Sequence, residues 1–121
     1  MFTADQIVAH LVGDYILQSH WMATNKAKNS IAAAIHALTY TLPFTLITQH
    51  WLALSAICVS HFFIDRFRLA RYVVWLKNGA RGPVTLTGYP DDVPPWMSVW
   101  LLIIADNTIH MICNGLALLL V

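Results

Sequence analysis

Charged side chains are scarce in this sequence. Only 11% of its 121 residues are charged, whereas soluble domains average about 25%. Glutamate is absent, so the six acidic residues are all aspartates. Hydrophobic residues make up 58% of the chain, a balance typical of an integral membrane protein. The formal net charge of +1 provides no basic excess that would favour a nucleic acid as partner.

Several motifs of known function are also missing. The sequence has no Ser-type nucleophile motif and no glycine-rich loop of the kind that binds phosphate. Its two cysteines lie in apolar runs, where a thiol acts as a small hydrophobe, and we assign them to packing. The N-terminus lacks the basic start and cleavage site of a secretory signal, so we expect it to stay on the mature protein.

The apolar runs predict an all-α fold, a four-helix transmembrane bundle that forms a single domain over residues 1–121. Hydropathy and length place the spans at about 4–20, 31–48, 51–75 and 96–120. The first span is short and interrupted by polar residues, which suits a helix shielded inside a bundle. Pro43 predicts a kink in the second span.

Basic residues and turn residues predict the orientation of the bundle. All seven Lys and Arg fall between Lys26 and Arg81, in the connection after the first span and at or after the end of the third. The positive-inside rule makes both regions cytoplasmic. Residues 78–95 hold three Gly and four Pro, which predicts a turn-rich cytoplasmic loop before the last helix.

The most informative pattern is a His and an Asp four residues apart, which recurs in three of the four predicted spans: His10 with Asp14, His61 with Asp65, and Asp106 with His110. Residues at this spacing share one helix face. The second span adds His36. An aspartate in mid-membrane costs about 2.5 to 3.5 kcal/mol, so these side chains are predicted to face the bundle interior. Their depths, at about 1.5 Å per residue, overlap in the cytoplasmic half.

These side chains form the candidate metal site, and the candidate ligands are His10, Asp14, His36, His61, Asp65, Asp106 and His110. Imidazole and carboxylate together suit a divalent transition metal, so we expect zinc or manganese. Seven ligands exceed one site, which suits one or two ions. A proton-coupled or purely structural polar network is the alternative. The aspartates Asp14, Asp65 and Asp106 are the candidate catalytic residues, because a carboxylate beside metal-activated water can move a proton.

A polar and basic rim is the candidate substrate site, formed by Gln18, Lys26, Arg66 and Arg68. Basic side chains at the end of the bundle can position a phosphate or an anionic headgroup. The alternative for these residues is that their charges only determine topology.

The same residues make up a recognisable pattern of three segments, AHLVGDYILQSHWMATNK, SHFFIDRFR and TGYPDDVPPWMSVWLLIIADNTIH, with His36 between the first two. This pattern resembles a family of small phage and bacterial membrane proteins, domain of unknown function 3307, over almost the whole chain. It is similar, more remotely, to the membrane-bound metal-dependent hydrolases. The resemblance implies a multi-pass protein of the bacterial inner membrane.

Three functions follow from these patterns. The leading hypothesis is a membrane-embedded metal-dependent hydrolase that acts on a lipid-linked or phosphoester substrate. The second is a metal or proton carrier whose path is lined by the same His and Asp residues. The third is a phage module that alters the host envelope by binding a host protein. The lipid bilayer is the expected partner in each case, and a thin bundle of this kind is compatible with a homodimer.

Overall fold

The computed structural model describes residues 2–121. They form six α-helices and, within this range, no strand, which confirms the all-α prediction. The helices are α1 (Ala4–Leu11), α2 (His20–Asn25), α3 (Ser30–Thr41), α4 (Trp51–Arg66), α5 (Leu69–Lys77) and α6 (Pro95–Leu118). A π-helical turn at Val12–Ile16 follows α1, and a 3-10 turn at Leu42–Leu46 follows α3.

Polar side chains determine where the first three helices begin. The hydroxyl of Thr3 accepts a hydrogen bond from the backbone N–H of Gln6 at the start of α1. Ser19 does the same for α2, and the Asn29 side chain accepts from two amides at the start of α3. The free amides of a first helical turn need such acceptors, so the sequence itself marks these three boundaries.

The chain divides into two compact units, one comprising the residues up to Phe67 together with His110–Val121 and the other comprising Arg68–Ile109. The prediction of a single domain stays a prediction. The core of the first unit is a cluster of buried side chains from α1, α3, the 3-10 turn, α4 and the end of α6: Ala9, Tyr40, Phe44, Ile57 and Ala117. Fully buried alanines on α3 and α4, among them Ala32 and Ala53, let helix backbones approach closely.

The second unit contains α5 and the loop that follows it. Residues 78–94 form turns rather than helix or strand, as predicted for a segment rich in Gly and Pro. Gly88, with a φ of +81°, packs directly on α5, and Ala70 and Val74 are buried on that side of the helix.

Three of the four predicted spans are not continuous α-helices. The predicted helix over 4–20 ends at Leu11, passes through the π-helical turn and restarts at His20. The second predicted span becomes a 3-10 turn at Leu42, beside Pro43, because proline removes a backbone donor. The third is broken at Arg68, which lies in the left-handed region with a φ of 51°.

Helix length therefore corrects the expected membrane topology. Within residues 2–121, one helix is long and apolar enough by length and composition to cross a membrane, and it covers Pro95–Leu120. It coincides with the fourth predicted span. The helical stretch Ser30–Leu46 is apolar but shorter. The helices as they stand do not support four separate spans of full length.

Candidate metal centre

Four of the seven predicted ligands meet inside the first unit. Asp14 lies on the π-helical turn, His36 on α3, and His61 and Asp65 one turn apart on α4. All four are buried. The π-helical turn widens the helix locally, and such single-turn bulges occur frequently at functional sites.

The side chains of these four residues point at one another. Nε2 of His36 lies 2.9 Å from Nε2 of His61. The Oδ1 atom of Asp14 lies 3.2 Å from Nε2 of His36 and 3.4 Å from Nε2 of His61. The Oδ2 atom of Asp65 lies 3.1 Å from each of the same two nitrogens. One ligand atom from each residue lies within 4.8 Å of all the others.

These separations, 2.9 to 3.4 Å, are close to those in the ligand shell of a small tetrahedral ion and are mostly a little shorter. Zinc binds imidazole nitrogen and carboxylate oxygen at about 2.0 to 2.2 Å, which places neighbouring tetrahedral ligands about 3.3 to 3.6 Å apart. The same contacts also fit a hydrogen-bonded network, in which one Nε2 donates a proton and the other accepts it. A cation accepts a lone pair from each of the four atoms, so the donor set fits a metal.

Two further predicted ligands lie behind the first four. Nδ1 of His10 is 3.7 Å from Oδ2 of Asp14, and Nε2 of His110 is 3.5 Å from Oδ1 of Asp65. Each aspartate thus presents one oxygen to the centre and the other to a buried histidine. Partners of this kind orient the carboxylates that bind a metal. His10 and His110 lie beside the central group, and their role as ligands stays a prediction.

Tyr40 is the important residue that the sequence analysis missed. Its ring is fully buried and stacks on the ring of His61, with centroids 3.6 Å apart. Its hydroxyl shares a 2.8 Å hydrogen bond with Nδ1 of His10 and accepts one of 2.6 Å from Nδ2 of Asn114. Tyr40 follows His36 by four residues, so the helical spacing that revealed the His/Asp pairs could have revealed it as well.

The remaining predicted ligand, Asp106, belongs to the second unit. It is half-buried and precedes His110 by one turn on α6. Its role as ligand or catalytic residue stays a prediction.

The predicted substrate residues fall into different environments. Nζ of Lys26 forms a 2.8 Å ion pair with Oδ2 of Asp65, the same oxygen that faces the two histidines. The Arg66 guanidinium donates to the Ser30 hydroxyl and the Ala27 carbonyl, which ties α4 to the start of α3. The Gln18 amide donates to the backbone carbonyl of Asp14. Arg68 is exposed at the start of α5. Lys26 is thus the predicted substrate residue that pairs with a side-chain ligand atom of the centre.

Comparison with protein families shows which family this chain belongs to. The family model described as protein of unknown function (DUF3307) matches residues 2–113. The chain belongs to this family. The match covers all four residues of the centre and the two histidines behind it, and it confirms the resemblance to the uncharacterised family. No curated protein and no solved structure matches the chain. The likeness to metal-dependent hydrolases stays a prediction.

Proposed function

We propose that this chain is a membrane-embedded hydrolase that uses one zinc or manganese ion, bound by Asp14, His36, His61 and Asp65, to cleave a phosphoester of a lipid-linked substrate. The observation that carries the proposal is the convergence of four buried ligand atoms, two nitrogens and two oxygens, within 4.8 Å of one another. Four groups of this chemistry are costly to bury together unless a cation neutralises the carboxylates.

The surface of the helices supports the membrane location. Large apolar side chains are exposed along the chain, and examples from four helices are Val8 at 59%, Leu38 at 63%, Val59 at 54% and Ile104 at 58%. Soluble monomers rarely expose apolar patches of this extent. The polar groups are buried while apolar groups face outward, which is the arrangement expected in lipid.

A multi-pass arrangement in the bacterial inner membrane, with both charged loops cytoplasmic, is the topology we propose. Pro95–Leu120 supplies one crossing. Ser30–Leu46 has 17 residues, which reaches the lower end of the range of about 17 to 25 residues for a spanning helix. The buried centre is formed by the π-helical turn after α1, by α3 and by α4. Irregular backbone is tolerated inside a membrane where it is buried within the protein.

The residues of the chain have distinct roles in the proposed reaction. When bound, the metal supplies Lewis acidity that activates water and stabilises charge on a phosphoryl oxygen. Asp14 and Asp65 would hold it with the carboxylate oxygens that face the two histidines. His10 lies next to the second oxygen of Asp14 and can hold a proton at Nδ1. The hydroxyl of Tyr40 fixes the orientation of the His10 ring. Lys26, at the partly open side of Asp65, is placed to attract an anionic phosphate.

The test is hydrolysis by the purified protein in detergent. We expect manganese- or zinc-dependent phosphate release from phosphatidic acid or polyprenyl pyrophosphate. Asp65→Asn should lower kcat by about a hundredfold or more, because the variant loses a charged ligand. Asp92→Asn, in the exposed loop, should leave the rate unchanged. Release of phosphate at equal rates by the wild type and Asp65→Asn would contradict the proposal.

A metal carrier is the second candidate, because the helix that holds Asp14 is interrupted at that residue by the π-helical turn. Transporter sites typically lie at interrupted helices. Metal uptake by proteoliposomes, abolished by Asp65→Asn and unaccompanied by phosphate release, would favour the carrier over the hydrolase.

A further inference from the structure

Helix α5 has an apolar face that the rest of its unit leaves uncovered. The side chains of Leu69, Tyr72, Val73 and Leu76 are exposed by 38%, 39%, 47% and 62%. Their spacing of three, four and seven residues from Leu69 places them on one side of the helix. The face is therefore a continuous apolar stripe along the length of α5.

The opposite side of α5 is packed against the loop that follows it. Ala70 and Val74 are buried there. A Cβ at Gly88 would overlap the Arg71 carbonyl oxygen and lie 2.8 Å from Cβ of Val74, so the loop is in close contact with the helix. Trp75 adds a hydrogen bond from Nε1 to the Gly82 carbonyl. This packing fixes which face of α5 remains exposed.

The chain segment that contains α5 carries charge of one sign. The segment between Asp65 and Asp91 contains no acidic residue, and its five basic residues are Arg66, Arg68, Arg71, Lys77 and Arg81. Lys77 is exposed and its ammonium also lies 2.9 Å from the Tyr89 hydroxyl, while Arg71 is half-buried. A cationic rim beside an apolar stripe is complementary to a membrane surface with anionic headgroups.

We propose that α5 lies in the interface of a membrane that contains anionic phospholipids. The stripe contacts the acyl region, and Arg68, Arg71 and Lys77 contact the phosphates. With 9 residues the helix is about 14 Å long, too short to cross the bilayer and suited to lie along it. A second copy is a poorer occupant, because the stripe is small for a stable protein interface and its basic rim would repel an identical rim.

This inference rests on the membrane location in the proposed function but not on the metal. The test uses the full chain in nanodiscs of phosphatidylcholine with or without phosphatidylglycerol. Cys58 and Cys113 are replaced by Ser, and a spin label is attached at Leu76→Cys. A matched label at Gly82→Cys reports on the exposed loop, where nothing lies within 4 Å of a Cβ. Collision with oxygen marks a label in lipid, and collision with a nickel chelate marks one in water.

We expect the label at position 76 to collide with oxygen in the anionic discs and the label at position 82 to stay in water. Each basic side chain near an anionic surface contributes about 1 kcal/mol, so Arg71→Gln with Lys77→Gln should lower the ratio of docked to undocked label by about thirtyfold. Lys28→Gln, an exposed lysine outside this segment, should leave the ratio unchanged.

Two other results would overturn the inference. A label at position 76 that stays in water in anionic discs would show that α5 does not dock, and a short distance between labels on two chains would identify a second copy as the occupant. If the chain fails to enter discs of either composition, the membrane location in the proposed function fails as well. Retention in discs with an undocked helix leaves the proposed function intact.

Discussion

At the scale of single residues, the position of Lys26 determines how the negative charge of Asp65 in the centre is neutralised. Its ammonium pairs with Oδ2 of Asp65, one of the four candidate ligand atoms. Both groups are largely removed from water, with side-chain exposures of 21% and 4%. A buried carboxylate needs a positive partner, and Lys26 supplies one from within the chain. A metal ion would bind the same oxygen, so lysine and metal compete for it.

Lys26→Met should therefore increase metal affinity. We expect the dissociation constant for zinc to fall by about tenfold or more, because the variant removes a positive charge next to the bound cation. Competition with a chromophoric chelator measures the change. Lys28→Met is the matched control, since Lys28 is exposed and lies two residues from Lys26. This variant should bind zinc with the affinity of the wild type. Unchanged or weaker zinc binding by Lys26→Met would show that the lysine does not compete for Asp65.

The central side chains could be predicted from the sequence because the helical spacing of four residues fixes which groups share a face. That rule placed Asp65 beside His61 and Asp14 beside His10, and the structure brings both aspartates together with His36. Spacing within a helix could not show which side chains of different helices meet at one point. It therefore did not separate His10 and His110 from the central four, and it did not reveal the ion pair between Lys26 and Asp65.

At the scale of helices, the π-helical turn and α3 make the closest contact beside the centre. A Cβ at Gly13 would lie 2.5 Å from Cδ2 of Tyr40 and 3.0 Å from its backbone carbonyl oxygen. The Tyr40 ring has little freedom to move, since it stacks on His61 and its hydroxyl is bonded on two sides. Glycine at position 13 is thus required by space rather than by backbone conformation.

Gly13→Ala should destabilise the fold and weaken the centre. We expect a loss of about 1 to 3 kcal/mol in the free energy of unfolding, the usual result of forcing an added methyl group into a packed core. Thermal unfolding in detergent, with and without zinc, measures both effects. At Gly82 an alanine would meet no neighbour but would be strained by a φ of +68°, so Gly82→Ala should lower stability while leaving zinc affinity unchanged. Wild-type stability in Gly13→Ala would contradict the close packing.

The start of a helix could be predicted where a capping side chain marks it, but not every interruption of a helix could. Thr3, Ser19 and Asn29 cap α1, α2 and α3, and Pro43 indicated the change at Leu42. The break at Arg68 has no such signal, because arginine has no local preference for the left-handed conformation that it adopts between α4 and α5. Hydropathy alone therefore joined these two helices into one predicted span.

At the scale of the whole molecule, the polar side chains of the centre are buried, while many apolar side chains are exposed. His36 and His61 are almost completely buried, whereas Leu46 is 91% exposed and Trp51 69% exposed. The many exposed apolar side chains are consistent with the 58% hydrophobic composition. Composition could predict this distribution, but it could not predict which helices are long enough to cross a bilayer.

Binding of a transition metal by Asp14, His36, His61 and Asp65 can be tested by elemental analysis of detergent-purified protein that has not been exposed to chelators. We expect one equivalent of zinc or manganese per chain, lost in the double variant Asp14→Asn, Asp65→Asn and retained in the exposed pair Asp91→Asn, Asp92→Asn. Absence of stoichiometric metal from the wild type, or equal metal in the wild type and the Asp14, Asp65 variant, would contradict it.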